Sequence, residues 1–162
     1  MIALLVLGYV TLARLVEMRI ARLNTARLLA AGAHEASPGH YRVIIAMHVA
    51  WLGCLFWLAP GRTVVRGWLA LFVLLQPLRV WVMAALGPRW TARIVVVPGE
   101  TLVTAGPYRL MRHPNYAIVM GEVASLPLAF GLVWVAIGFS IANAVMLTIR
   151  IRAENLALAS LR

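Results

Sequence analysis

The chain has 162 residues, 63% hydrophobic and 12% charged, with a mean hydropathy of +0.89 and a formal net charge of +10. A soluble domain of this length cannot hide so much apolar surface, so composition makes lipid the main solvent of a single membrane domain, residues 1–162. The positive charge comes from fifteen Arg and no Lys; no basic stripe with interleaved aromatics lies outside the apolar blocks, so it fits helix ends and anionic lipid rather than nucleic acid.

The first apolar block covers residues 1–22. No positive region precedes it and Arg14 follows its apolar start, the wrong polarity for a cleaved leader, so a retained signal-anchor helix is expected. Residues 43–59 and 67–86 are each about as long as a ~30 Å hydrocarbon core requires. Cys54, the lone cysteine, sits in the second block and rules out an intrachain disulfide. Residues 87–115 form the longest non-helical stretch. Within it Arg93-Ile94-Val95-Val96-Val97, the turn Pro98-Gly99-Glu100 and Thr101-Leu102-Val103 predict a short β-hairpin covering the helix ends. The last block, 116–149, would measure about 51 Å as one helix at ~1.5 Å per residue, too long for one crossing. Pro127 and Gly131 divide it into two, the first of them short. Trp68, Trp81, Trp90 and Trp134 are expected in the interfacial aromatic belt.

The expected fold is therefore an all-α integral membrane protein of about five transmembrane helices. The last two form a helical hairpin, and a short cytoplasmic β-hairpin acts as a lid. With the N-terminus outside, one face receives Arg14, Arg19, Arg22, Arg27, Arg42, Arg89, Arg93, Arg109, Arg112, Arg150, Arg152 and Arg162. The other receives Arg62 and Arg66, and Arg79 lies within a span. The rich face is cytoplasmic by the positive-inside rule. The polar loop and the C-terminal tail then share the cytoplasmic side of the cell membrane. Exclusive use of Arg and Glu, with much Ala, Val, Leu and Gly, suggests a GC-rich bacterial coding sequence.

The segment Gly106-Pro107-Tyr108-Arg109-Leu110-Met111-Arg112-His113-Pro114-Asn115-Tyr116 is polar and proline-punctuated in an otherwise apolar chain. With Arg150-Ile151-Arg152-Ala153-Glu154 in the tail, it resembles the signature of the isoprenylcysteine carboxyl methyltransferase and phospholipid methyltransferase superfamily. Asn155 stands where the family's tail element has a second acid. Arg14, Glu17, Asn24, Gly32-Ala33-His34-Glu35, His40-Tyr41 and His48 are similar to a small bacterial branch. Some members of that branch accompany polyketide synthases and methylate alkylpyrones or alkylresorcinols. The resemblance implies an integral-membrane enzyme that uses S-adenosyl-L-methionine as cofactor. The His113-Pro114-Asn115-Tyr116 core also resembles membrane sterol reductases, which makes an NADPH-dependent lipid reductase one alternative. A small transporter or scaffold is another; it predicts polar groups through both leaflets, and the outer half has almost none.

The residues suit the implied cofactor on chemical grounds. Arg109 or Arg112 can fork onto a carboxylate, and Glu154 can receive an ammonium or a ribose hydroxyl. Tyr108, His113 and Tyr116 supply flat faces with polar tips. Asn115 and Arg150 complete the expected cofactor set, and Pro107 and Pro114 restrict the loop. No glycine-rich strand-to-helix turn of the soluble dinucleotide-binding type is present, and no metal is expected. Three ionisable groups fall inside apolar blocks: His48 about 8 Å, Glu122 about 9 Å and Arg79 about 11 Å from the inner end, at ~1.5 Å per residue. Such groups default to function, and these three are expected to form one catalytic polar layer. His48 or Glu122 would serve as base for an acceptor hydroxyl, while a carboxylate or acidic enol needs none. Each residue also has a plain structural reading: Arg109 and Arg112 as headgroup anchors, His113 as a helix-start turn, Arg150 and Arg152 as helix caps, Glu122 with Arg79 as an ion pair, and His48 as a hydrogen-bonded core histidine. The expected acceptor is a lipophilic small molecule with a hydroxyl, enol or carboxylate oxygen; membrane lipid surrounds the chain, and protein partners are not indicated.

Overall fold

The structure, a computed structural model, describes residues 1–36, 39–99, 101 and 103–157, with the backbone alone for His40. The described residues form five α-helices and a two-stranded antiparallel sheet. In chain order these are α1 (Ile2–Ala30), β1 (His34–Ala36), α2 (Gly39–Leu58), α3 (Arg66–Leu86), β2 (Ile94–Val96), α4 (Pro114–Ala129) and α5 (Val133–Ala157). Single 3-10 turns, Gly87–Arg89 and Gly106–Arg109, sit between α3 and α4.

Three helices are long and apolar enough to cross a membrane, over Tyr41–Leu58, Arg66–Arg89 and Val133–Ala157. Together with exposed Trp57 and Trp134, at 85% and 84%, they mark an integral membrane protein whose outer surface faces lipid. Of the other two helices, α1 carries Arg14, Glu17 and Arg19 mid-length, and α4 is 16 residues long. The apolar core gathers Leu7 and Val10 of α1, Leu55 of α2, Phe72 of α3, and Val123 and Leu126 of α4.

The break expected in the last block lies at Phe130-Gly131-Leu132. The backbone N–H groups of Phe130 and Leu132 donate to the carbonyl of Pro127, closing α4 before α5 begins. Helix α4 starts on Pro114 at its first position, where a missing N–H costs nothing. Gly121 lets α4 come close to α3: a Cβ there would lie 2.8 Å from Cδ1 of Leu75. That approach brings Glu122 against Gln76 and Arg79.

The expected hairpin takes a different form. Strand β2 is present, but it pairs with β1, in the α1–α2 connection, with His34 opposite Val96 and Ala36 opposite Ile94. Arg93 fixes the junction, donating to Glu35 at 2.7 Å and lying over the Tyr41 ring at 4.9 Å. Glu100 of the expected turn, Leu102 of the expected second strand and Arg162 of the arginine count lie outside the described residues. Helix α1 runs eight residues beyond its expected end. Its Asn24 amide donates to the carbonyls of Gly87 and Trp90, tying it to the turn after α3.

Candidate active site

The proline-punctuated loop folds so that the start of α4 meets the end of α5. Gly106 opens the first 3-10 turn at φ 58°, a conformation that favours glycine, and packs against Ala85 and Trp81 of α3. Seven residues on, the ring of His113 stacks on that of Tyr116, with centroids 5.3 Å apart. Tyr116 is the hub. Its hydroxyl donates to Glu154 and accepts from Nε of Arg150 at 2.9 Å, while Nη2 of Arg150 donates to the Ala92 carbonyl at 2.6 Å. The hydroxyl thus joins α4 to α5, and Arg150 carries the link on to the strand-side loop.

Around this hub lies a cavity of about 480 Å³, within the range of small-molecule sites. Of the residues expected to hold a cofactor, Tyr108, Arg112, His113, Asn115, Tyr116, Arg150 and Glu154 all line it. Arg109 does not: it is exposed at the end of its turn and is absent from the cavity lining. Burial first, then the charge of Glu154, pushes the Tyr108 hydroxyl up to about 12, so it remains a donor. Nε2 of His113 and Oδ1 of Asn115 are buried without a hydrogen-bond partner. Cations, a carboxylate, aromatic faces and two unmatched polar atoms are what a zwitterionic nucleoside requires, so the residues fit S-adenosylmethionine.

A second, mostly apolar cavity of about 320 Å³ lies deeper in the bundle. Trp90, Thr91, Asn115, Tyr116 and Arg150 line both cavities and so form the partition between them. Trp90, expected in the interfacial belt, is instead buried in this partition. Two of its lining residues, Leu15 of α1 and Val49 of α2, are 54% and 65% exposed.

Of the three residues expected in one polar layer, Arg79 and Glu122 meet, together with Glu17 and Arg14, while His48 makes no bond to them. Nε and Nη2 of Arg79 fork onto Glu17, each at 2.8 Å, and its Nη1 donates to Glu122 at 2.9 Å. Arg14 donates to Glu17 at 2.8 Å and to Glu122 at 3.1 Å, and Gln76 adds a bond of 3.0 Å to Glu122. Two guanidiniums and two carboxylates close a neutral ring joining α1, α3 and α4. Both oxygens of Glu122 are engaged by these donors, which departs from a free base; the ion-pair reading describes Glu122 and Arg79 better. Arg14, counted on the basic face from sequence, belongs to this interior ring.

His48 of α2 lines the same cavity outside the ring. Its Nδ1 lies 2.9 Å from the Ile44 carbonyl. A carbonyl only accepts, so the neutral ring carries its proton on Nδ1 and its lone pair on Nε2. Sequence reasoning placed neither Arg14 nor Glu17 in the site; their spacing of three on an otherwise apolar helix face was the available signal. Nothing in the sequence marked Trp51 or Asn143, which also line this cavity.

Comparison with known proteins bears on this arrangement. Residues 68–160, more than half of the chain, match the model of the isoprenylcysteine carboxyl methyltransferase (ICMT) family. The chain is also similar to the uncharacterized protein YpbQ of Bacillus subtilis (strain 168), with 38% identity over 159 residues and 95% of each chain covered. No solved structure matches.

Proposed function

The chain belongs to the isoprenylcysteine carboxyl methyltransferase family, and from that membership and the paired cavities we propose that it methylates an oxygen of a lipophilic acceptor, using S-adenosylmethionine. The family consists of methyltransferases that use this cofactor. The observation that carries the reading is the shared partition: a polar cavity and an apolar one meet at Asn115, Tyr116 and Arg150.

In this reading Arg112 and Arg150 hold the cofactor's carboxylate, Glu154 its ammonium or ribose, and Tyr108, His113 and Tyr116 its flat and cationic parts. When bound, the cofactor supplies an electrophilic methyl group on a sulfonium. The residues of this chain align, desolvate and deprotonate. The partition fixes the acceptor head beside the polar cavity, and the apolar walls exclude water. Nε2 of His48 takes the proton of an acceptor hydroxyl as its oxygen becomes nucleophilic. The acceptor's hydrocarbon tail passes between α1 and α2 into the bilayer.

Arg14, Glu17, Arg79 and Glu122 neutralise one another, so they offer no net positive charge to an anionic head. That favours a hydroxyl or enol acceptor over a carboxylate. The arginine count supports an outside N-terminus and a polar cavity on the cytoplasmic side, where the cofactor occurs; eleven basic-face arginines remain once Arg14 joins the ring (12 − 1). With its charges paired inside, α1 is long enough to cross, whereas α4 at about 24 Å falls short of a ~30 Å core.

One substitution and one binding measurement test the assignment. His48→Gln is expected to lower turnover of a long-chain phenol at least about a hundredfold while S-adenosylhomocysteine still binds. Full turnover in His48→Gln removes the base role. Stabilisation by NADPH and not by S-adenosylhomocysteine favours the reductase alternative.

A further inference from the structure

The loop that carries the cofactor residues changes sides twice. Tyr108 and Arg112 line the polar cavity, but Arg109, Leu110 and Met111 between them line neither cavity and are exposed. Leu110 is 76% exposed and Met111 49%. Two adjacent apolar side chains presented outward between arginines fit a surface that is apolar beneath and anionic above.

The packing of the loop says where that surface lies. Pro107 is buried, and a Cβ on Gly106 would lie 3.3 Å from Cβ of Ala85 and 3.4 Å from Nε1 of Trp81. The turn Gly106–Arg109 is therefore seated on the last turns of α3, inside the apolar span Arg66–Arg89. Ala85 and Trp81 precede the helix end at Leu86 by about 1.5 and 6 to 8 Å, at ~1.5 Å per residue. Their neighbour Val80 is exposed, as is Trp81 itself. That is the depth where headgroups meet acyl chains, so an arginine reaches phosphate while leucine and methionine reach hydrocarbon.

Charge decides which headgroup. Among the described residues every glutamate is engaged elsewhere: Glu17 and Glu122 by Arg14 and Arg79, Glu35 by Arg93, and Glu154 by Tyr116. None of them is left to meet Arg109, so the partner that fits its guanidinium is an anion from outside the chain.

Resting on the cofactor-site reading above, we propose that residues 109–111 form a docking loop for an anionic phospholipid, with Arg109 at the phosphate and Leu110 and Met111 in the acyl boundary, and that this seat tightens the cofactor site. Tyr108 and Arg112, on either side of the docked residues, are then fixed before the cofactor arrives, so less freedom is lost when it binds. The coupling runs both ways: with the cofactor bound, the loop holds anionic lipid more firmly.

The test is calorimetry of the full chain in nanodiscs with S-adenosylhomocysteine, whose ammonium and carboxylate cancel, so a charged surface does not concentrate it. Discs of phosphatidylcholine are compared with discs in which phosphatidylglycerol replaces part of it. The wild type is expected to bind about fivefold tighter in the anionic discs, the worth of one arginine at such a surface, and to lose the advantage in ~1 M salt. Arg109→Gln is expected to remove the advantage at an unchanged melting temperature, whereas Arg22→Gln, which changes an exposed arginine of α1, keeps it. Leu110→Ser combined with Met111→Ser is expected to weaken binding in both discs. Glycerol phosphate added to neutral discs is expected to give none of the gain; if it gives all of it, the site takes a free phosphate and lipid docking is overturned. Equal Kd in the two discs, or a loss in Arg22→Gln as large as in Arg109→Gln, overturns the docking loop and leaves the methyltransferase reading standing. No binding of S-adenosylhomocysteine in either disc overturns both.

Discussion

Arg150 donates from Nε to the hydroxyl of Tyr116 at 2.9 Å, and both residues line both cavities. Through this bond the tail of α5 and the first turn of α4 become one wall, polar on one side and apolar on the other. Removing the hydroxyl separates Arg150 from Glu154, which Tyr116 bridges. Tyr116→Phe is expected to weaken S-adenosylhomocysteine binding about tenfold or more, the worth of one well-placed charge-assisted bond. Calorimetry of wild type and variant measures it, and an unchanged Kd removes Tyr116 from the cofactor wall.

The ring of Arg14, Glu17, Arg79 and Glu122 predicts strong coupling. Breaking one buried pair strands its partner at a cost of about 3–5 kcal/mol, whereas removing both members leaves the rest balanced. Arg79→Met and Glu122→Leu are each expected to destabilise the protein by about that amount. The double variant, which keeps the Arg14–Glu17 pair, is expected to lose less than either alone. Unfolding measurements across the four proteins give the coupling; additive losses contradict a closed ring.

In the proposed reading the acceptor's tail leaves past Leu15 and Val49, which line the deep cavity and are exposed. Leu15→Trp or Val49→Trp is expected to plug that exit and raise KM for a fifteen-carbon acceptor several-fold, with a smaller effect on a five-carbon analogue whose tail does not reach the portal. Equal effects on both chain lengths place the tail elsewhere.

Tyr108 supplies a pH prediction. An ordinary phenol ionises near ~10, but burial and Glu154 push this one up to about 12, so it keeps its proton through the usual alkaline range. Tyr108's contribution to S-adenosylhomocysteine affinity, read as the Kd ratio between Tyr108→Phe and wild type, is expected to be flat from about pH 8 to pH 10. A ratio that falls with a midpoint at or below pH 10 contradicts a protonated Tyr108 in the site.

Much of this architecture was legible in the chain. Pro127 and Gly131 marked the turn between α4 and α5, and the His113-Pro114-Asn115-Tyr116 segment with Arg150 and Glu154 marked the polar cavity. What escaped were pairings between distant segments. Residues 34–36 show no alternation that announces a strand, so the partner of β2, some sixty residues away, could not be read from local pattern. Arg14 and Glu17 look like a surface pair on a helix until Arg79 and Glu122 are brought against them. Trp90 fits an aromatic belt until Asn24 pulls its backbone toward α1. Arg109 and Arg112 are equivalent in sequence, and only the folded loop, in which Arg112 alone lines the cavity, separates them.

The central claim is that one polar cavity serves a methyl donor beside an apolar cavity that serves a lipid. Purified protein in nanodiscs, given methyl-labelled S-adenosylmethionine and a lipid extract, measures this most directly. The account predicts label in an organic-soluble product as a base-stable methyl ether, abolished in Arg150→Met. A folded wild-type protein that passes no label to any lipid, and that S-adenosylhomocysteine does not stabilise, would contradict it.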